Sequence, residues 1–326
     1  MVAEPMPASR QSGLLTRHGG VAAVVVAAAL WGLGGTVAAA LFRRGADPLK
    51  VVAVRTWIAA GGLLVIWMVR RPGAVVVRLP WRSILGFGIS VAVANASLFL
   101  AIDRLPVAVA LVLQNLAPLL VVAWGVVATG RFPAPRTILG LSVALASVAL
   151  VVELPTAPIA EINLVGVVFG ILTAAAVASY SAFGATAARR CGALTTTTWA
   201  FVISSVGWVG YQVPRGVLEL AQRPDLLLGA IALGIFGTLV PFLLFSWGTA
   251  RVGPTIGAVS ISLEPLFGAA LAWVWLGQKL TATQLVGAVV LLAVLADVQR
   301  ARHADRSASE PLADRPPELS PVEPGS

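Results

Sequence analysis

Long apolar runs alternate with short polar gaps along most of the chain. Runs of roughly 17 to 25 apolar residues have the length that a helix needs to cross the hydrocarbon of a bilayer. The pattern predicts ten membrane-spanning helices, at residues 20–42, 51–69, 83–102, 105–127, 136–153, 163–187, 195–214, 226–249, 253–276 and 282–298. The predicted fold class is therefore an all-α integral membrane protein.

The two ends of the chain differ from the rest. Residues 1–19 and 299–326 are rich in Pro, Ser, Glu and Arg. Segments of this composition bury too little apolar surface to offset the entropy lost on ordering, so we expect two mobile tails. The first apolar run follows Arg10 and Arg17 but is longer than the apolar core of a signal peptide, so we interpret it as a retained span.

A weak internal repeat runs through the chain at a constant offset of 147 residues. The segment RLPVAVALVLQNLAP (104–118) aligns with RVGPTIGAVSISLEP (251–265). Four pairs of positions keep the offset: Arg104 and Arg251, Pro118 and Pro265, Gly130 and Gly277, and Gly140 and Gly287. Each copy holds five predicted spans, an odd number, so the second copy enters the membrane from the opposite side. The sequence thus predicts two inverted five-helix repeats, at 20–153 and 163–298, as in many secondary transporters.

Composition excludes several classes of protein. The chain is 58% hydrophobic and 11% charged, against about 25% charged residues in a typical soluble domain. The net charge of +9 does not indicate nucleic-acid binding, because the basic residues form no patch with interleaved aromatic residues. Cys191 is the only cysteine, and His18 and His303 lie near the chain ends. We therefore expect no internal disulfide, no metal site and no cofactor.

The basic residues also predict the orientation of the chain. Most Lys and Arg residues lie in the two tails and in the polar gaps on the side that holds both termini. Because cytoplasmic loops carry the excess of Lys and Arg, both termini are predicted to be cytoplasmic. We expect a multi-pass protein of the cell membrane (inner or plasma membrane).

One acidic residue lies deep within a predicted span. Glu264 directly precedes Pro265, on a stripe of small and polar residues that runs from Gly253 to Gly268 at helical spacing. Ionisable groups in hydrocarbon are costly and are functional candidates by default. We expect Glu264 to bind the cationic part of a substrate or a coupling proton; the alternative is a structural carboxyl group bonded to a neighbouring helix. Pro265 is expected to free the carbonyl of Ile261 within the span.

Other polar and aromatic residues within spans are weaker candidates. Gln114 and Asn115 precede Pro118 at the equivalent depth of the fourth span, where they contact either the substrate or a neighbouring helix. Asn95, Trp31 and Tyr180 are also candidate substrate contacts, with helix packing as the alternative for the two aromatic residues.

Arg55 is predicted to be structural. It lies close to the outer end of the second span, from which a long arginine side chain can reach the interface. The glycines of GLGG (32–35) are interpreted as packing residues, because this segment lies within an apolar run and no GK[ST] follows it.

Two stretches resemble a known family. SLEPLFGAALAWVWLGQKLTATQLVGAVVLL, which starts at Ser262, resembles the second EamA domain of the drug/metabolite transporter superfamily. AALWGLGG (28–35), with Pro48 and Arg55, resembles the first. The resemblance covers about 20–298 and implies ten helices in two EamA repeats, in an inner-membrane carrier that often exports amino acids or other small metabolites.

The resemblance also has limits. AIDRLPVAVALVLQNLAPL together with SLEP is similar to the threonine/homoserine exporter branch. Family members often carry a glutamate just after the glycine that ends the fourth and ninth spans. Arg131 and Gln278 occupy those positions here, so a coupling role of that glutamate does not carry over.

Together these features predict a secondary transporter that exports a small polar metabolite, such as an amino acid, by alternating access at a midplane site. No Walker motif is present, so a gradient, with a proton as one candidate, or the substrate itself supplies the energy. A channel or a non-transporting scaffold stays open, and a lipid enzyme is a weaker alternative; we expect no enzymatic activity. The expected partners are a small-molecule substrate and the lipid bilayer, with no nucleic acid, and a homodimer stays open.

Overall fold

The structure, a computed structural model, describes residues 8–70, 79–130, 135–154, 162–253 and 260–309. The regular secondary structure of these ranges is entirely helical. The α-helices are α1 (Ala8–Arg43), α2 (Pro48–Arg70), α3 (Trp81–Ile102), α4 (Val107–Gln114), α5 (Ala117–Thr129), α6 (Pro135–Val151), α7 (Leu164–Cys191), α8 (Ala193–Gln212), α9 (Pro224–Gly234), α10 (Val240–Val252), α11 (Glu264–Leu276) and α12 (Ala282–Ser309). Two short 3-10 helices (Val213–Arg215 and Val217–Gln222) follow α8, and a π-helical turn (Ile235–Leu239) joins α9 to α10.

Six segments of the described residues are long and apolar enough to cross a membrane: His18–Arg43, Pro48–Arg70, Trp81–Ile102, Val107–Trp124, Leu164–Cys191 and Pro224–Val252. Three apolar helices are shorter: Ile138–Val151, Glu264–Leu276 and Ala282–Val294. The all-helical membrane class is thereby confirmed, whereas the predicted number of ten spans is not. One reason is visible in α8, which carries four consecutive threonines from Thr195 to Thr198 and is less apolar than the six segments.

Two predicted spans are broken at equivalent places. The fourth is divided between α4, which ends at Gln114, and α5, which has Pro118 in its first turn. In the ninth, α11 begins at Glu264 and has Pro265 in its first turn. The N–H groups of a first turn have no partner within the helix, so a proline there loses no hydrogen bond. Pro265 therefore lies at the start of α11, directly after a turn at residues 262–263 that breaks the ninth span.

The helices α5 and α11 are close copies. They begin 147 residues apart, at Ala117 and Glu264, and each is 13 residues long. Each ends at a glycine in the left-handed conformation, Gly130 with φ 64° and Gly277 with φ 66°. The repeat found in the sequence is therefore also a repeat of helix start, length and end.

The two matched arginines of the repeat, Arg104 and Arg251, make the same kind of hydrogen bond. Arg104 Nη1 donates to the carbonyl oxygen of Leu100 at 2.8 Å, and Arg251 Nη1 donates to that of Trp247 at 2.9 Å. Each arginine thus donates to the carbonyl four residues before it, near the C-terminal end of α3 or α10.

Helices of the first half pack mainly against helices of the second half. The main packing pairs between the halves are α3 with α7, α1 with α10, α6 with α12, α2 with α8, α1 with α11, α3 with α8, α2 with α9, α4 with α11, and α4 and α5 with α7. The largest apolar cluster includes Val51 of α2 and Leu111 of α4 from the first half and Leu233 of α9 from the second half. The two halves therefore share this cluster.

Four polar contacts join the halves at the end of the bundle that is remote from both chain termini. They are a hydrogen bond from Arg43 Nη1 to the carbonyl of Leu276 (2.8 Å), an ion pair between Lys50 and Glu219 (2.7 Å), a hydrogen bond from the N–H of Val107 to Gln278 Oε1 (3.0 Å) and one from Thr281 Oγ1 to Glu153 Oε1 (2.7 Å). We call this set the polar clasp.

The terminal helices extend beyond the predicted boundaries. α1 begins at Ala8 and α12 ends at Ser309, so residues 8–19 and 299–309 are helical although the sequence assigned them to tails. The Ala, Arg and Gln residues of these stretches favour helix once an apolar helix has been nucleated next to them. The remainder of both predicted tails, residues 1–7 and 310–326, lies outside the described residues, as does part of the predicted small-residue stripe at 254–259.

Replacing Gly277 with alanine should lower the free energy of unfolding by about 1–2 kcal/mol, because an L-residue other than glycine is strained at this positive φ. Replacement by asparagine should lower it less, because asparagine tolerates the left-handed conformation better. Thermal unfolding of the purified protein in detergent measures both variants. An alanine variant as stable as the asparagine variant would contradict the left-handed end of α11.

Candidate functional site

The carboxylate of Glu264 and the amide of Gln114 meet where the two broken spans pack together. Gln114 Nε2 donates to both carboxylate oxygens, at 3.5 Å to Oε1 and 3.4 Å to Oε2. Gln114 is the last residue of α4 and Glu264 is the first of α11, so two helix ends bring them into contact. The contact joins the two halves of the chain.

The start of α11 suits a buried acid. The first N–H groups of a helix lack partners within the helix, and its N-terminus carries a partial positive charge. The side chain of Glu264 is 5% exposed, so this local field is poorly screened by water. The bonds to Gln114 are longer than the 2.7–3.2 Å of typical hydrogen bonds, so the amide holds the carboxylate only weakly.

Helix α1 covers the start of α11 through a glycine. A Cβ atom at Gly32 would lie 2.8 Å from the carbonyl oxygen of Glu264 and 2.7 Å from the backbone nitrogen of Gly268. One turn further along α1, Thr36 Oγ1 donates to the carbonyl of Gly268 at 3.4 Å. The absence of a side chain at Gly32 therefore lets two backbones approach beside the acid, which supports the predicted packing role of the GLGG segment.

The guanidinium of Arg55 lies inside the protein. Arg55 follows the start of α2 at Pro48 by about two helical turns, and its side chain is 7% exposed. Its Nη2 donates to Asn95 Oδ1 at 2.6 Å, and its Cζ lies 4.5 Å from the centre of the Phe99 ring. Asn95 Nδ2 in turn donates to the carbonyl of Val91 at 2.8 Å, which orients the amide.

This placement corrects the prediction that Arg55 reaches the interface. The inward position is stable because α3 offers an amide oxygen and an aromatic face one helical turn apart, at Asn95 and Phe99. The sequence analysis did not include Phe99 among its candidates. The four-residue spacing of Asn95 and Phe99 on one helix face was a signal that could have identified it.

Glu264 interacts electrostatically with groups on two further helices. These are Arg55 on α2 and Tyr180 on α7, whose ring packs against that of Phe87 at 5.7 Å between centroids. The contacts described for Arg55 and Glu264 include no hydrogen bond or ion pair that joins their side chains directly. The acid therefore contacts α4 through Gln114 and lies within electrostatic range of groups on α2 and α7.

Two sequence-predicted candidates, Asn115 and Trp31, have described contacts with groups other than Glu264 and Gln114. Asn115 Nδ2 donates to the carbonyl of Leu111 at 2.9 Å and so satisfies the end of α4. Trp31 packs against Phe242 and Phe245 of α10, with ring centroids 5.3 and 5.5 Å apart. Within the described ranges, no three His, Cys, Asp or Glu side chains come together as metal ligands would.

The comparison with known families agrees with this architecture. Residues 18–153 and 164–296 each match the EamA-like transporter family. The two matches together cover most of the chain, which therefore belongs to this family of membrane transporters. The resemblance stated from the sequence is confirmed.

Individual relatives are also transporters where their names state a role. An uncharacterized transporter of Archaeoglobus fulgidus is 30% identical over 274 residues, which cover 84% of this chain and 94% of the relative. The uncharacterized inner membrane transporter YicL of Salmonella typhimurium is 24% identical over 278 residues, 84% of this chain and 92% of the relative. Protein PecM of Dickeya dadantii is 26% identical over 221 residues, 67% of this chain and 73% of the relative.

A solved crystal structure has the same fold. It is 18% identical in sequence, superposes with a TM-score of 0.56, and the match covers 87% of this chain and 98% of that chain.

Proposed function

We propose that the protein is a secondary transporter that exports a small polar solute by alternating access, with Glu264 and Gln114 in its binding site. The observation that carries this proposal is the contact of the buried Glu264 with the half-buried Gln114 across the halves, at the breaks of two equivalent spans. Broken helices within a bundle of inverted repeats are where secondary transporters bind their solutes.

The packing of the helices supports an inverted relation between the halves. In the repeat, α1 corresponds to α7, α3 to α9 and α10, and α4 and α5 together to α11. If each helix is replaced by its counterpart, the contact of α3 with α7 becomes the contact of α10 with α1, and the contact of α1 with α11 becomes that of α7 with α4 and α5. The pairs α2–α8, α4–α11 and α6–α12 map onto themselves. A twofold relation requires this pattern, and an odd number of spans per half would make the copies inverted in the membrane.

The polar clasp supports alternating access. Its contacts all link one half to the other and all lie at one end of the bundle, which is what a closed gate at the end remote from the termini would require. Most of these groups lie at helix ends, where water can replace a broken contact at little cost. With both termini in the cytoplasm, opening the clasp would release the solute outside the cell.

Other functions account for less of the structure. A channel needs no exchangeable halves, and a scaffold needs no buried acid held by an amide. A lipid enzyme would need a reactive cluster near an interface, and membership of a transporter family argues against enzymatic activity. The name of the Salmonella relative supports location in the inner membrane; we place both termini in the cytoplasm because of the distribution of basic residues.

Counterflow tests the carrier mechanism directly. Proteoliposomes are loaded with a mixture of the twenty unlabelled amino acids and diluted into traces of the same amino acids in labelled form. We expect at least one labelled amino acid to accumulate transiently above its outside concentration, because a carrier exchanges solutes one for one. Protein-free liposomes are the control. Uptake that only approaches equilibrium would indicate a channel, and no uptake above the control would contradict amino-acid transport.

A further inference from the structure

Arg55 carries a buried positive charge whose hydrogen-bonding capacity is only partly used. A guanidinium has five N–H donors. Nη2 donates to Asn95, whereas the buried Nε has no hydrogen-bond partner among the described residues. A buried donor without a partner costs free energy, so its persistence calls for an explanation beyond packing.

The negative charge of Glu264 lies within electrostatic range of Arg55, but the described contacts do not join the two side chains directly. Glu264 and Arg55 interact electrostatically, yet each side chain is bonded to a neutral amide on a neighbouring helix, Gln114 on α4 and Asn95 on α3. A structural ion pair would gain most from direct contact, because unpaired buried charges are expensive. Instead, Arg55 keeps a positive charge on α2 of the first half, and Glu264 keeps a negative charge on α11 of the second half.

We propose that Arg55 binds the anionic group of the transported solute while Glu264 binds its cationic group, so that the site selects solutes that carry both charges. This inference rests on the proposed function and adds a specificity-determining residue to it. A guanidinium matches the paired oxygens of a carboxylate or phosphate, and Nε together with one terminal nitrogen forms one of its two-pronged donor edges. Asn95 and Phe99 hold the guanidinium in place through Nη2 and the ring contact.

The two opposite charges also suit alternating access. A solute that joins Arg55 to Glu264 links the two halves, and it neutralises both charges while it is bound. The empty site keeps two unneutralised charges, so solute binding favours the state in which the halves close around the site.

The test compares solutes that carry both charges with solutes that carry one. Alanine, leucine and phenylalanine are used with their amines (ethylamine, 3-methylbutylamine and 2-phenylethylamine) and their acids (propionate, 4-methylpentanoate and 3-phenylpropionate). Each compound competes with the labelled amino-acid mixture in the counterflow assay, and the initial rate gives its inhibition constant. For the wild-type protein we expect at least one amino acid to inhibit about tenfold more strongly than its amine and its acid.

Arg55→Gln is the decisive variant. It should weaken inhibition by the amino acid about tenfold or more and leave inhibition by the amine unchanged, so the preference for the doubly charged solute is lost. Arg55→Lys retains the charge without the two-pronged geometry and should retain part of the preference. Arg104→Gln is the matched control, since it removes an arginine that bonds at a helix end outside the site, and it should retain the full preference.

The outcomes separate this inference from the proposed function. If counterflow occurs but Arg55→Gln keeps the full preference, or loses inhibition by amino acid and amine equally, Arg55 has a structural role and the inference is wrong. If Arg55→Gln does not yield a monodisperse protein, the lysine variant decides: an unchanged preference contradicts the inference, and a reduced one supports it. If the wild-type protein shows no counterflow, the proposed function itself fails and this inference fails with it.

Discussion

Replacing Glu264 with glutamine should reduce the counterflow rate about ten- to hundredfold and leave the protein folded. Glutamine has nearly the same shape but no negative charge, so it forms only neutral hydrogen bonds with a cationic group. Hydrogen bonds to charged groups are worth roughly 1.5–3 kcal/mol, and the loss of one such bond corresponds to this range of rates. The carboxylate is buried with Gln114 as its hydrogen-bonding neighbour on α4, so no second acid described at this contact replaces it.

Two controls define this result. Asp225→Asn removes an acid from an exposed ion pair with Arg223 that is not part of the polar clasp, where the expected effect is small. Glu264→Asp keeps the charge but withdraws it by one methylene, so it should transport better than Glu264→Gln.

If Glu264 also carries the coupling proton, the pH dependence of counterflow should weaken in Glu264→Gln, apart from contributions of the neighbouring groups Arg55 and Tyr180. Unchanged flux with unchanged pH dependence would remove Glu264 from the mechanism.

Replacing Gly32 with alanine should destabilise the protein by about 1–3 kcal/mol and abolish most transport. The new Cβ would lie 2.7 and 2.8 Å from backbone atoms of Gly268 and Glu264. Backbone atoms cannot rotate away as a side chain can, so α1 and α11 must separate. The separation would also displace the start of α11, which positions the Glu264 carboxylate.

The sign of the effect makes this prediction specific. Alanine normally stabilises a helix by about 1 kcal/mol relative to glycine. Gly61→Ala is the matched control, because a Cβ at Gly61 on α2 meets no atom within 4 Å, and it should be neutral or stabilising. Thermal unfolding in detergent and counterflow measure both variants. A Gly32→Ala protein that is as stable as Gly61→Ala would contradict the close contact of α1 with α11.

The sequence predicted the helical class and the register of the repeat because both depend on local signals. Apolar runs have a length set by the bilayer, and the matched Pro118 and Pro265 mark positions that the structure places in equivalent first turns. The breaks themselves were harder to predict, since a proline inside an apolar run is compatible with a kink or with a new helix start. The choice depends on the preceding residues, which in the fourth span end α4 at Gln114.

The site was predicted in part for a similar reason. Glu264 and Gln114 were candidates because polar groups within spans are costly wherever they point. The direction of a long side chain is not local, however. Arg55 was assigned to the interface from its depth, whereas its real position depends on Asn95 and Phe99, about 40 residues later in the chain. Likewise, Asn115 is next to Gln114 in sequence but bonds to its own helix.

The similarity of α5 and α11 has a consequence for the orientation of the protein in the membrane. If the halves are inverted copies, α5 and α11, which share their length, starting proline and ending glycine, run in opposite directions across the membrane. The charges do not repeat in this way: the basic residues outside the spans predict how the chain inserts, and Glu264 corresponds to Ala117 in the other copy. Moving basic residues from the loops on one side to the loops on the other would make such a chain insert in the opposite orientation with the same fold. The proposed direction of transport would then depend on the charges that orient this architecture in the membrane.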